Sequence, residues 1–147
     1  MRKILTAALA LGLGSTAPAS AASLFEMNFW MSGSNYEGKL PSCDSPPVSE
    51  EIASRFALKE SEFWHSDLTL DHFDRYREIA YRPWGKSFIP RRFCTARVLT
   101  SDGRHRIVSY AIAEDLGTIG VTWGVEWCVS GLDRNLAYAP ACKMARP

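Results

Sequence analysis

From residue 91 to residue 132, apolar and polar side chains alternate in three runs. Residues 91–99 put Arg92, Cys94, Ala96 and Val98 on one face and Arg91, Phe93, Thr95, Arg97 and Leu99 on the other, as a half-buried strand does. Residues 104–114 predict a second strand after Thr100-Ser101-Asp102-Gly103, whose Asp-Gly pair accepts the backbone angles of a tight hairpin turn. In residues 120–132, Val121, Trp123, Val125, Trp127 and Val129 share one face and predict a third. Short connections between these runs predict an antiparallel meander.

Upstream the pattern changes. Ser45-Pro46-Pro47 can open a helix, because a serine can cap free amides and a proline in the first turn forfeits no hydrogen bond. Ile52, Phe56 and Phe63 then follow helical spacing, so a helix is predicted over 46–64, with Glu50, Glu51, Lys59 and Glu60 facing water. His65-Ser66-Asp67 interrupts it. A second helix is expected after Asp67 or Thr69, with Phe73, Tyr76 and Ala80 on its inner face and Arg82-Pro83-Trp84-Gly85 at its end. Residues 23–40 carry Phe25, Phe29, Trp30 and Tyr36 among small residues and suggest an arm over the core.

The first 22 residues stand outside this scheme. Arg2 and Lys3 precede an apolar run from Ile4 to Gly14, and small residues follow to Ala22, the order of features in a secretory signal peptide. The apolar run falls short of the roughly 20 residues a membrane span needs, and no transmembrane anchor is expected. The expected organisation is a signal peptide at 1–22 and one α+β domain at 23–147. Of 17 basic and 16 acidic residues in the chain, the mature part keeps all but Arg2 and Lys3, for a formal charge near −1. That balance gives no electrostatic case for nucleic acid.

The four cysteines, Cys43, Cys94, Cys128 and Cys142, all lie in the exported part and are expected to form two disulfides. Cys94 and Cys128 fall on the first and third strands of the meander, about 9.6 Å apart. A disulfide needs its α-carbons within about 7 Å, which disfavours that pair. Cys43–Cys94 with Cys128–Cys142 is the favoured pairing, and Cys43–Cys128 with Cys94–Cys142 the alternative.

Three constellations bear on chemistry. His65, Asp67, Asp71 and His72 offer metal-ligating and proton-transfer groups, but their spacing fits no established zinc signature, and no metal or other cofactor is expected. Arg91, Arg97 and Arg106, with Arg92, Arg104 and His105 nearby, suit carboxylate or phosphate groups. Trp123, Glu126 and Trp127, with Trp84 before the sheet, suit an aromatic surface for a sugar or apolar ligand. The candidate ligand-binding residues are therefore Trp84, Arg91, Arg97, Arg106, Trp123, Glu126 and Trp127. An alternative is a small hydrolase using Glu114, Asp115 and Glu126 with His105. No nucleophile elbow or phosphate-binding loop occurs, and no catalytic residue is nominated.

Arg82-Pro83-Trp84-Gly85, Ile89-Pro90-Arg91-Arg92-Phe93-Cys94, Glu114-Asp115-Leu116-Gly117, Trp123-Gly124-Val125-Glu126-Trp127-Cys128 and Gly131-Leu132-Asp133-Arg134 resemble a family of small periplasmic proteins of alphaproteobacteria. The resemblance spans about 43–147. It implies an exported single domain and assigns no activity to particular residues. The expected architecture is α+β, with two N-terminal helices on a three- or four-stranded antiparallel sheet; cystatin-like and nuclear-transport-factor-like arrangements are versions of that element order. The expected function is noncatalytic recognition in the periplasm or cell envelope, with an envelope protein, a glycan or an anionic ligand as partner. N-terminal sequencing of the protein recovered outside the cytoplasm should begin at Ser20, Ala22 or Ser23; a chain there that retains Arg2 and Lys3 would contradict the signal-peptide assignment.

Overall fold

The computed structural model describes residues 40–82, 89–114, 116–117 and 122–147. One helix, α1 (Pro46–Trp64), precedes four strands, β1 (Leu70–Arg82), β2 (Arg91–Thr100), β3 (His105–Ala113) and β4 (Gly124–Val129), and a short 3-10 turn over Lys143–Ala145. The strands form one antiparallel sheet in the order β1-β2-β3-β4. Of the expected arm at 23–40, only Leu40 is among the described residues, and it is buried in the core.

The second helix is not formed: residues 70–82 are β1, and the fold is one helix on a four-stranded sheet. The misreading has a physical cause. Register shifts interrupt β1 between Leu70 and His72, Asp74 and Arg77, and Glu78 and Ala80. Each inserts a residue without a cross-strand partner and displaces the inward positions from strict alternation. Of the three positions read as a helical face, Phe73 and Tyr76 reach the core at an interval of three, as does Leu70 before them, an interval a helix also produces, whereas Ala80 lies opposite Phe93 on the other face. Pairing decides the conformation, because Phe73 lies opposite Val98, Asp74 opposite Arg97 and Tyr81 opposite Arg92.

The β2–β3 hairpin follows the alternation in the chain. Gly103 takes a φ of 76° in the turn, and its N–H donates to the Thr100 carbonyl at 2.8 Å. Cys94, Ala96 and Val98 on β2, Val108, Tyr110 and Ile112 on β3, and Val125 and Val129 on β4 form the floor of the core. Val48, Ile52 and Phe56 of α1 close it from above, and each is essentially inaccessible. Ser45 occupies the cap position with no side-chain cap bond; its carbonyl accepts from Val48 N–H at 3.0 Å instead.

The far end of α1 reverses two expectations. Phe63 is 70% exposed, whereas Glu60, expected in water, continues the Val48-Ile52-Phe56 face and is only 1% exposed. Arg134, from the loop after β4, supplies the counter-ion: its guanidinium donates to the Glu60 carboxylate at 2.9 Å and lies over the Trp64 ring at 5.3 Å. A buried carboxylate is tolerated only with such a partner. His65 ends the helix in the left-handed conformation, and its N–H and that of Ser66 donate to the Glu60 carbonyl.

The disulfides are Cys43–Cys94 and Cys128–Cys142, with α-carbons 5.8 and 5.6 Å apart. The first fastens the segment before α1 to β2; the second folds the C-terminal tail onto β4. In the chain-entropy account, loops of these lengths contribute about 4 and 3 kcal/mol. No described helix is long and apolar enough to cross a membrane, and the two buried disulfides are consistent with an extracytoplasmic protein.

Removing the counter-ion tests the inverted end of α1. Arg134→Ala should lower unfolding stability by about 2 kcal/mol, below the 3–5 kcal/mol of fully buried pairs because Arg134 is partly solvated. Glu60→Gln in the same background should recover part of that loss. Urea unfolding of the three variants measures both effects.

Candidate functional site

Cross-strand register sorts the paired sheet side chains onto two faces. The face beneath α1 is the core. On the opposite face, Asp74 lies across from Arg97, which lies across from Ile107; Arg77 lies across from Thr95, which lies across from Ser109 and then Cys128. Further along come Ala80, Phe93, Ala111 and Glu126 in one row, and Arg82, Arg91 and Ala113 in the next. Arg77, Arg82, Arg91 and Arg97 therefore share this face, which among the described residues carries no α-helix and is called helix-free below.

The sequence candidates divide between the two faces. Arg91 and Glu126 belong to the helix-free face and approach each other at 3.7 Å. Arg97 belongs there too, but its guanidinium engages Asp74 in a two-pronged pair, with Nε donating to Oδ1 at 2.7 Å. Arg97 holds the Asp74 carboxyl below the usual carboxylate range. Arg106 points to the opposite face, where it donates to both oxygens of Asp102 at 2.8 and 2.7 Å and to the Thr100 hydroxyl. Hydrogen bonds from Arg106 and then Thr100 lower the Asp102 pKa strongly, against a smaller upward effect of desolvation. Trp123 and Trp127 pack on the core, and Trp127 sits 5.8 Å from the Phe56 ring with the Lys59 ammonium 5.6 Å away. Trp84 lies outside the described residues. The arginines and tryptophans thus do not make one common surface.

The strand alternation in β2 was sufficient to place Arg91 and Arg97 on one face. It could not add Arg77 and Arg82, because a helical reading of 70–82 sends those side chains elsewhere. Among the described residues neither has a carboxylate within ion-pair distance; the Arg82 guanidinium stacks over the Phe93 ring at 5.4 Å. Both are exposed.

The acid-base candidates do not converge. His65 caps α1, Asp67 lies in the following loop, and Asp71 accepts a hydrogen bond from the Thr69 hydroxyl at 2.6 Å. His72 is exposed on β1. No group of three metal-ligating side chains occurs among the described residues. For the hydrolase alternative, His105 begins β3 and Glu114 follows its end, about 30 Å along an extended chain. Glu126 is engaged with Arg91, and Asp115 lies outside the described residues.

A separate groove of about 520 Å³ opens between α1 and the start of β4. Glu51 and Arg55 form one wall, and Leu116, Gly117, Thr122, Trp123 and Gly124 the other. Arg55 donates to the Val125 carbonyl at 3.0 Å and lies 3.9 Å from Glu51. The opposite rim is a close backbone crossing: Gly117 N–H donates to the Thr122 carbonyl at 2.9 Å, a Cβ at Gly124 would overlap the Leu116 backbone, and one at Gly117 would overlap Thr122. Glu51, Arg55 and Thr122 have no signature in the sequence, since only the packing of α1 across β4 brings them beside Trp123.

No protein-family model, curated protein or solved structure matches the chain.

Asp74 and Asp102 give the native state a defined acid limit. Both carboxyls have folded pKa values below their unfolded ones, so their contribution is present above the ordinary aspartate pKa of about 3.9 and is lost as pH falls through the folded values. The melting temperature should decline below about pH 4, and more shallowly in Asp102→Asn, in which the Arg106 pairing no longer titrates. Thermal scans between about pH 2 and 7 give the two slopes.

Proposed function

We propose that the chain is an exported, noncatalytic recognition protein of the periplasm or cell envelope, and that it takes an anionic glycan on the helix-free face of its sheet. The observation that carries this reading is the position of Arg77 and Arg82, exposed and without carboxylate partners among the described residues, beside Arg91 and Arg97. Asp74 and Glu126 offset only part of this charge. Guanidinium groups recognise carboxylate, sulfate and phosphate groups through paired N–H donors. Their spread along two neighbouring strands, rather than around an enclosed cavity, suits a polymer with repeated charges.

Export rests on residues 1–22, and the two disulfides agree with an oxidising destination. The arrangement supports recognition over hydrolysis because its charged groups are paired across strands or spread over a face, not gathered around a reacting centre.

Heparin serves as the probe polyanion. The protein should bind it with an affinity that weakens as salt rises. Arg77→Ala combined with Arg82→Ala should cost about tenfold, the sum of two exposed charge contacts. Arg104→Ala, at the hairpin turn, should change it little. Absence of salt-dependent binding would refute the reading, and binding to phosphatidylglycerol vesicles but not to heparin would replace the glycan with a membrane surface.

A further inference from the structure

The groove beside Trp123 is independent of the arginine face and has a different chemistry. Its volume, about 520 Å³, falls within the range of small-molecule sites. Trp123 contributes a partly buried indole that packs on the core while lining the groove. Glu51 offers two acceptor oxygens, and the Thr122 hydroxyl, which donates to the Trp123 carbonyl at 3.4 Å, can accept. Arg55 keeps donors in reserve after one is committed to the Val125 carbonyl.

We infer that this groove is a binding site for a neutral pyranose ring. Such a ring has an apolar face for the indole and a rim of hydroxyls that both donate and accept, and the groove supplies counterparts for each. The opposed charges of Glu51 and Arg55 offset one another, which removes the attraction that a simple cation or anion would need. An entirely apolar ligand would desolvate both side chains without replacing their hydrogen bonds.

The walls are also held before any ligand arrives. Arg55 is tied to β4, and the Gly117 to Thr122 bond with the close approach of Gly124 to Leu116 fixes the opposite rim. Less ordering is then left for binding to impose.

The full-length mature protein, titrated with methyl β-glucopyranoside and with methyl N-acetyl-β-glucosaminide, provides the test. The Trp123 indole N–H resonance should move saturably with at least one glycoside. Glu51→Gln should weaken that binding about tenfold, and Trp123→Leu should weaken it further. Should Trp123→Leu fail to fold, Glu51→Gln still decides, because its side chain is half exposed and outside the core. Arg77→Ala, on the other face of the sheet, should leave the binding unchanged, so this site and the arginine face can fail separately. No movement of the Trp123 resonance up to about 50 mM of either glycoside, which spans millimolar dissociation constants, overturns the inference. So does binding that survives Glu51→Gln or is lost with Arg77→Ala.

Discussion

The attachment of Cys43 to β2 governs how α1 lies across the sheet. Cys43 is bonded to Cys94, and its carbonyl accepts a hydrogen bond from the Tyr110 hydroxyl at 2.5 Å. Tyr110 is only 1% exposed and stands on the helix side of β3, so the segment entering α1 is held by a covalent bond from one strand and a buried hydrogen bond from its neighbour. Burial pushes the Tyr110 pKa upward, which keeps the hydroxyl a donor. With the start of α1 fixed there, Val48, Ile52 and Phe56 enter the core above the sheet, the Ser49 hydroxyl meeting that of Tyr76 on β1 at 3.3 Å and the Phe56 ring lying 5.8 Å from that of Trp127 on β4. One helix can then close a four-stranded core, and the position of Arg55 over β4 follows from the same placement.

The far end of α1 obeys another constraint. Its inner face carries Glu60 after Phe56, and a carboxylate cannot replace the next apolar residue without a counter-ion. Arg134 provides it from the loop after β4, joining the helix end to the chain beyond the sheet. The C-terminal tail is secured separately. Cys142 and Ala145 pack with Cys128, and the Arg146 guanidinium donates to the Ser109 hydroxyl at 3.3 Å. This tail covers part of the helix-free face over β3 and β4 and leaves the β1 and β2 arginines beyond it.

The outer edge of β1 illustrates the compatibility of charge with sheet structure. Among the described residues β1 is an edge strand; its Asp71, His72, Arg75 and Arg77 are exposed, and its register is broken by irregularities, features that discourage pairing with another chain. Within the sheet, β1 is joined to β2 by Arg97 with Asp74, by Arg92 with Glu78, and by the Arg92 guanidinium 4.8 Å from the Tyr81 ring. Some charged residues of β1 therefore limit pairing on its outer side, while others, Asp74 and Glu78, specify its pairing with β2.

Alternation alone located β2 and β3 and the side chains on each face, because an uninterrupted strand changes face at every residue. The separation of Cys94 on β2 from Cys128 on the third predicted strand narrowed the disulfide choice, and the Asp-Gly turn joined β2 to β3. The sequence could not reveal β1, where inserted residues give Leu70, Phe73 and Tyr76 a helix-like interval and only partners on β2 distinguish the two conformations. Nor could it place Glu60 inside, since the compensating charge is Arg134, far away in the chain. The candidate sites divide in the same manner: Arg91 and Arg97 were visible from local periodicity, whereas Arg77, Arg82 and the Glu51–Arg55–Trp123 groove required long-range packing. Local pattern determines which way a regular element faces; tertiary structure determines which distant groups meet and which irregular segments become elements at all.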